Sequence, residues 1–110
     1  MGITKTAGFS DDVNYFASLL KALGHPARLA IVEHLLQKKQ CICGELVLEL
    51  PLSQPTVSQH LSELKKVGLI QGTIEGKTVC YCLNPTIMNQ LSNLFQRLTE
   101  GIIDSENNCC

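Results

Sequence analysis

Six cysteines in 110 residues are the side chains with the most chemistry to offer, and they fall as three close pairs: Cys41 with Cys43, Cys80 with Cys82, and Cys109 with Cys110. Close sequence pairs suit metal or redox chemistry in a reducing compartment better than the framework of a disulfide-stapled secreted protein. Cys41 and Cys43 fall just before or at the first turn of a short predicted helix, Gly44 to Leu50, whose N-terminal dipole favours thiolates. Residues two apart on a regular helix point to nearly opposite sides, so both sulfurs can grip one ion only where the backbone is extended or unwinds. Soft thiolates would select soft ions. Two other readings stand beside this one: a thiol redox or persulfide sensor, and a pair of small buried hydrophobes. Structural zinc fits less well, because zinc knuckles place two or more residues between paired cysteines and no histidine lies at ligand spacing. Cys80 and Cys82 share one face of a predicted strand, opposite Val79, Tyr81 and Leu83. They are expected to face outward, as a second dithiol site or as plain exposed positions.

A second set of residues carries recognition chemistry. Between Gln54 and Ser62 the polar positions are Gln54, Thr56, Ser58, Gln59, His60 and Ser62, uncharged and rich in short-reach donors and acceptors. An ordinary solvated helix face carries Glu and Lys; this composition suits the edges of DNA bases. Gln54, Thr56, Ser58, Gln59 and His60 are therefore the base or groove candidates, with Gln59 able to pair bidentately with adenine. The plainer reading is a polar solvent face, and His60, beside Leu61, also suits a packed histidine at the domain edge. Lys65, Lys66 and Lys77 are expected at phosphates. Arg28 is expected either at the DNA backbone or paired with Glu33 or another carboxylate.

These residues need elements to hold them. Ser53 as N-cap, Leu52 and Val57 as a staple, Pro55 in the first turn and Gly68 after the last predict a helix in which Val57, Leu61 and Leu64 form the apolar face. Only Pro51 and Leu52 separate it from the predicted Gly44 to Leu50 helix, and two helices joined that tightly make a helix-turn-helix. Upstream, Ser10, Asp11 and Asp12 start a first helix with Val13, Phe16, Leu19, Leu20 and Leu23 as its stripe, ending at Gly24. His25 and Pro26 open a second, closed by Lys38 and Lys39. Downstream the period changes to two across Ile70 to Leu83, with a turn at Glu75, Gly76 and Lys77, which predicts a two-stranded hairpin. Asn84 and Pro85 then cap a last helix with a stripe at Ile87, Leu91, Leu94, Phe95, Leu98 and Ile102. Residues 1–9 read as a flexible leader, 10–103 as one domain, and 104–110 as a flexible cysteine-bearing tail. The predicted class is mainly α with some β: about five helices and a two-stranded wing.

Composition narrows the function. Hydrophobic residues make up 45%, but with two Tyr, three Phe and no Trp the core must be aliphatic. A chain this short buries a modest share of its surface, so a homodimer seam through the first and last helices, at Val13, Phe16, Leu20, Leu91, Leu94, Phe95 and Leu98, is expected. A formal net charge of −1 argues against a non-specific polyanion binder, although a specific one needs cations along only one surface. No run is long and apolar enough for a membrane span, and Met1 to Ser10 lacks the apolar stretch of a signal peptide, which points to the cytoplasm. His25, His34 and His60 fall in helical segments with no evident cysteine partner, which argues against a thiol enzyme.

Taken in order, LGHPARLAIVEHL at 23–35, CICGEL at 41–46, SQPTVSQHLSELKKVGLI at 53–70 and GKTVCYCLNP at 76–85 resemble the ArsR/SmtB family of winged-helix repressors, over about residues 13–100. The resemblance implies a homodimer that sits on palindromic double-stranded operator DNA, needs no cofactor to bind it, and blocks transcription until an inducer arrives. Arsenic-responsive members carry a Cys-x-Cys at the place of Cys41 and Cys43, which implies As(III) or Sb(III) as the inducer captured by thiolates. Those members commonly have another cysteine three residues later, where this chain has Leu46. A third thiolate must then come from Cys109 or Cys110 in the tail, ranked first because 104–110 can reach far, from Cys80 or Cys82, or from an outside thiol. The last helix lacks the Asp and His set that other members use for zinc between subunits.

Overall fold

Each helix begins where a side chain or a proline meets the unpaired N–H groups of its first turn. In the computed structural model, which describes residues 8–38, 41–43, 51–76 and 78–105, α1 spans Asp11–Leu23 and the Ser10 hydroxyl accepts from the Val13 N–H at 3.2 Å. Helix α2 spans Pro26–Lys38. His25 is its cap: the ring Nδ1 accepts from the Ala27 N–H at 3.1 Å and the carbonyl from Leu29 at 2.9 Å, with Pro26 at the first position, where no N–H is needed. Helix α3 spans Gln54–Lys66 and α4 spans Pro85–Ser105, the latter capped by Asn84 Oδ1 on the Thr86 N–H at 3.1 Å. The predicted helix at 44–50, Lys39, Lys77 and the tail pair Cys109 and Cys110 lie outside the described residues.

The helices pack through one aliphatic core, as the shortage of aromatics requires. Leu19 of α1, Ile31 and Leu35 of α2, Leu64 of α3, Leu69, and Ile70 of β2 are fully buried. Burying one such side chain contributes about 1.5–3 kcal/mol, so these positions dominate the cohesion of the fold. Strands β2 (Ile70–Glu75) and β3 (Thr78–Leu83) form the antiparallel hairpin, in register from Ile70 against Leu83 to Glu75 against Thr78, and Gly76 turns it at φ +63°.

Two expectations need adjustment. The predicted hairpin is present but has a further strand beside it: Ile42–Cys43, expected just before or at the first turn of a helix, forms a short strand, β1, antiparallel to β3, so the sheet has three strands in the order β1-β3-β2. A hairpin alone leaves the far edge of β3 unpaired, and β1 occupies it. The expected dimer stripe is also partly spent within the protomer. Leu91 belongs to the core and Phe16 packs against it, whereas Val13, Leu20, Phe95 and Leu98 are exposed, the last two at 50% and 56%.

Candidate nucleic-acid interface and thiol centre

Helix α3 has the two faces its sequence called for. Val57, Leu61 and Leu64 are buried; Gln54, Ser58 and Gln59 are exposed, and Thr56 and His60 are half-buried. Its C-terminus closes as a Schellman motif: the Gly68 N–H reaches the Lys65 carbonyl at 3.0 Å and the Leu69 N–H reaches that of Leu64 at 3.1 Å. This requires φ +83° at Gly68, a conformation glycine adopts without strain. Leu64 and Leu69, both fully buried, supply the accompanying apolar contact. At the N-terminus the expected cap differs in detail. The Ser53 side chain makes no cap bond to the backbone; its hydroxyl pairs with that of Thr56 at 2.9 Å. Thr56 therefore reaches a ligand with part of its bonding capacity already used.

His60 and Arg28 are tied into the fold. The Arg28 Nε–H donates to His60 Nδ1 at 3.2 Å, and its Nη1 donates to the Ala22 carbonyl at 3.2 Å, satisfying one orphan acceptor at the end of α1. One guanidinium thus ties α1, α2 and α3 together, through His60 and Ala22 and not through the Glu33 pairing that was one expectation for it. The His25 and His60 rings lie 4.5 Å apart. Burial first, then the neighbouring His25 and Arg28, hold the His60 pKa below its ordinary value. The His60 Nδ1 accepts a hydrogen bond, which in its neutral form puts the ring proton on Nε2.

The expected phosphate-facing lysines divide. Lys66 is exposed and pairs with Glu63 at 3.1 Å, a surface pair of small worth that a phosphate can replace. Lys65 folds over the base of the wing, where a Cβ on Gly72 would stand 3.4 Å from its Nζ and 3.3 Å from the Tyr81 ring. On the wing, Ile74 and Val79 face each other across the strands and are exposed at 80% and 40%.

The thiols converge on the same sheet. Cys41, exposed just ahead of β1, is disulfide-bonded to Cys82 on β3, with Cα atoms 4.4 Å apart. In the same ladder the Cα positions of Cys43 and Cys80 are paired. Cys80 is itself disulfide-bonded and is 1% exposed, which corrects the outward orientation expected for it. It lies on the central strand, with β1 on one side and β2 on the other. Cys82 is half-buried. Among the described residues no group of three or more His, Cys, Asp or Glu is arranged to hold a metal ion. Sequence reasoning missed the Arg28 bridge, and with it the hydroxyl of Tyr15 donating to Gln90 Oε1 between α1 and α4. Neither has a local signal.

A helical core carrying an exposed polar helix followed by an antiparallel hairpin is a winged-helix architecture. Residues 25–71 match the family described as bacterial regulatory protein, arsR family. The chain is 40% identical over 80 residues, 73% of each chain, to the transcriptional activator HlyU of Vibrio cholerae. The structure of HlyU superposes with a TM-score of 0.68 at 35% identity, over 82% of this chain and 97% of that one. It is 46% identical over 65 residues to the transcriptional repressor SmtB of Mycobacterium tuberculosis; that match spans 59% of this chain and about half, 47%, of the relative. The structure of the repressor BigR from Xylella fastidiosa matches with a TM-score of 0.62 at 33% identity, over 78% and 87% of the two chains. The chain belongs to the ArsR family, a family of transcriptional regulators and not of enzymes. No described helix is long and apolar enough to cross a membrane.

Proposed function

We propose that this chain is a homodimeric repressor that holds a palindromic operator through α3 and releases it when an inducer engages the thiols around Cys41. The observation that carries the reading is the exposed, uncharged polar edge of α3, Gln54, Ser58 and Gln59, on a helix whose opposite side is locked into the core. A rigid rod with donors and acceptors at its N-terminal half suits the major groove, where Gln59 reads adenine and Ser58 serves base or phosphate. Lys66 and Lys77 supply phosphate contacts. The exposed Val13, Leu20, Phe95 and Leu98 supply apolar surface for a two-fold seam, which sets two copies of α3 about 34 Å apart on one face of the duplex.

The inducer reading follows the cysteines. Cys41 stands immediately ahead of the extended segment Ile42–Cys43, not on a helix. Reduced, Cys41 and Cys43 suit As(III) or Sb(III), with a third thiolate from Cys82, from Cys80, or from Cys109 or Cys110. The second reading, thiol oxidation, is favoured by one specific observation, the bond between Cys41 and Cys82. In a reducing compartment such a pair is transient and responsive. By linkage the operator weakens inducer binding by the factor with which inducer weakens operator binding.

Operator-bound reduced protein titrated in parallel with arsenite, antimonite and hydrogen peroxide separates the readings. Release by arsenite that is lost in the Cys41→Ser/Cys43→Ser variant, with DNA binding kept, supports metalloid capture; release by peroxide alone supports oxidation. A protein that is monomeric and prefers no inverted repeat over random duplex sinks both.

A further inference from the structure

Cys41 and Cys82 bracket the chain's DNA-facing half. The bond between them, spanning a sequence separation of 41, closes a ring that contains all of α3, β2 and most of β3. Strand β1 is only two residues long, so the backbone ladder holding it to β3 is short, and beside the buried Ile42 the covalent link adds a second kind of attachment. The two sulfurs also differ in access. Cys41 is exposed to solvent, Cys82 is half-buried on the central strand, and Cys80 is buried.

We propose that Cys41 and Cys82 form a reversible redox latch between the wing and the short strand β1. Cys41 meets the oxidant and Cys82 resolves it. The Cys41 thiolate attacks a hydroperoxide oxygen; an S–O bond forms, the O–O bond breaks, and water leaves, giving a sulfenic acid. The Cys82 thiolate then attacks that sulfur, the S–S bond forms and a second water leaves. Two thiols and one hydrogen peroxide thus become one disulfide and two waters. A dithiol reductant reverses the step by exchange, taking the disulfide into its own sulfurs. The oxidised latch holds β1 on β3 and withdraws Cys41 from any metalloid; the reduced latch frees both. The metalloid consequence rests on the preceding functional reading, whereas the couple itself does not.

The test uses the full chain. Reduced protein treated with one equivalent of hydrogen peroxide is digested without reductant, and its linked peptides are identified by mass spectrometry. Backbone amide exchange of β1 and β3 is followed in both redox forms. The expected result is a Cys41–Cys82 peptide in the wild type. In Cys82→Ser a sulfenic acid should instead accumulate at Cys41, trapped by a carbon nucleophile such as dimedone. In a Cys80→Ser background, which removes the second disulfide, exchange at Ile42 should be at least tenfold faster in the reduced form and should become insensitive to peroxide when Cys82→Ser is added, while the Cys109→Ser/Cys110→Ser variant behaves as wild type. Linkage of Cys41 to a tail cysteine or to a second copy of the chain overturns the proposal, as does β1 exchange that is equal in the two redox forms. Failure to find any operator would refute the functional reading alone, because none of these measurements involves DNA. If the couple holds, oxidised protein should also bind arsenite with at most half the stoichiometry of reduced protein; equal stoichiometry removes the metalloid consequence.

Discussion

Opening the Cys41–Cys82 link should cost the fold far more than the contacts of β1 suggest, because most of the cost lies in the unfolded chain. Closing a loop with a sequence separation of 41 removes about 13 cal/mol/K from the denatured ensemble, or about 4 kcal/mol at 25 °C. In a domain of about 100 residues each kcal/mol moves the melting temperature by about 4–8 °C, so loss of this link alone should lower it by roughly 16–32 °C. Cys80 is also disulfide-bonded, and its link opens with the first; the figure is for the Cys41–Cys82 loop alone. The assay is a pair of urea melts on oxidised protein and on protein held reduced by a thiol-free phosphine, which cannot form mixed disulfides. Two signatures are expected together. The midpoint should fall, and the slope should rise, since an uncrosslinked denatured chain exposes more surface. A midpoint and slope unchanged by reduction would refute the reasoning, and a higher midpoint on reduction would show that the link strains the native sheet by more than it constrains the unfolded chain.

Four further outcomes follow from the geometry. Gly68→Ala should cost about 1–2 kcal/mol in a chemical melt. The strain is conformational, since an added Cβ would meet Ile87 at an ordinary 3.7 Å while φ stays at +83°; a neutral result would mean the Schellman turn relaxes freely. Arg28→Ala should cost about 1–3 kcal/mol through the acceptors it leaves on Ala22 and His60, and NMR titration should show the His60 pKa moving up toward 6.5 as one of its depressing neighbours is lost. Because His60 is held neutral by the fold and its pKa is depressed, the unfolded chain binds more protons in acid. Its contribution to stability is therefore complete above about pH 6.5 and is lost as pH falls through and below that value; His60→Gln should flatten that part of the stability profile, and an unchanged slope would remove His60 as its source. Gln59→Ala should cost about 1–3 kcal/mol of discrimination at one operator position, with the salt dependence unchanged; uniform weakening across sequences would reassign Gln59 to the backbone.

The parts of this molecule that were legible in its sequence are those whose signals are local. Ser10, the His25-Pro26 step, Gly68 and Asn84-Pro85 each mark a helix end through chemistry confined to four or five residues, and the observed bounds fall there. The period of two from Ile70 to Leu83 likewise marks the hairpin. What escaped depends on partners far along the chain. Arg28 meets His60 across 32 residues, and Tyr15 meets Gln90 across 75. Leu91 looks like the rest of its stripe until the tilt of α4 over the core decides which residues it covers.

The cysteines show most clearly how such a partner changes a local reading. Cys41-Ile42-Cys43 next to a glutamate and leucines suits a place just before or at a helix start, and on a regular helix its sulfurs diverge. Cys80-Tyr81-Cys82 suits a strand whose other face is apolar, which would turn its sulfurs to solvent. Once the first segment is extended and antiparallel to the second, two repeats of the same period pair rung by rung: Ile42 falls opposite Tyr81 and Cys43 opposite Cys80. Cys41 then meets Cys82 with Cα atoms 4.4 Å apart, as a disulfide demands. The equal spacing of the two Cys-x-Cys motifs was therefore the available clue, but it acquires meaning only if β3 has a free edge. That edge is supplied by the wing, so the hairpin that carries Lys77 to phosphate in the proposed function is also the element that places a thiol opposite Cys41.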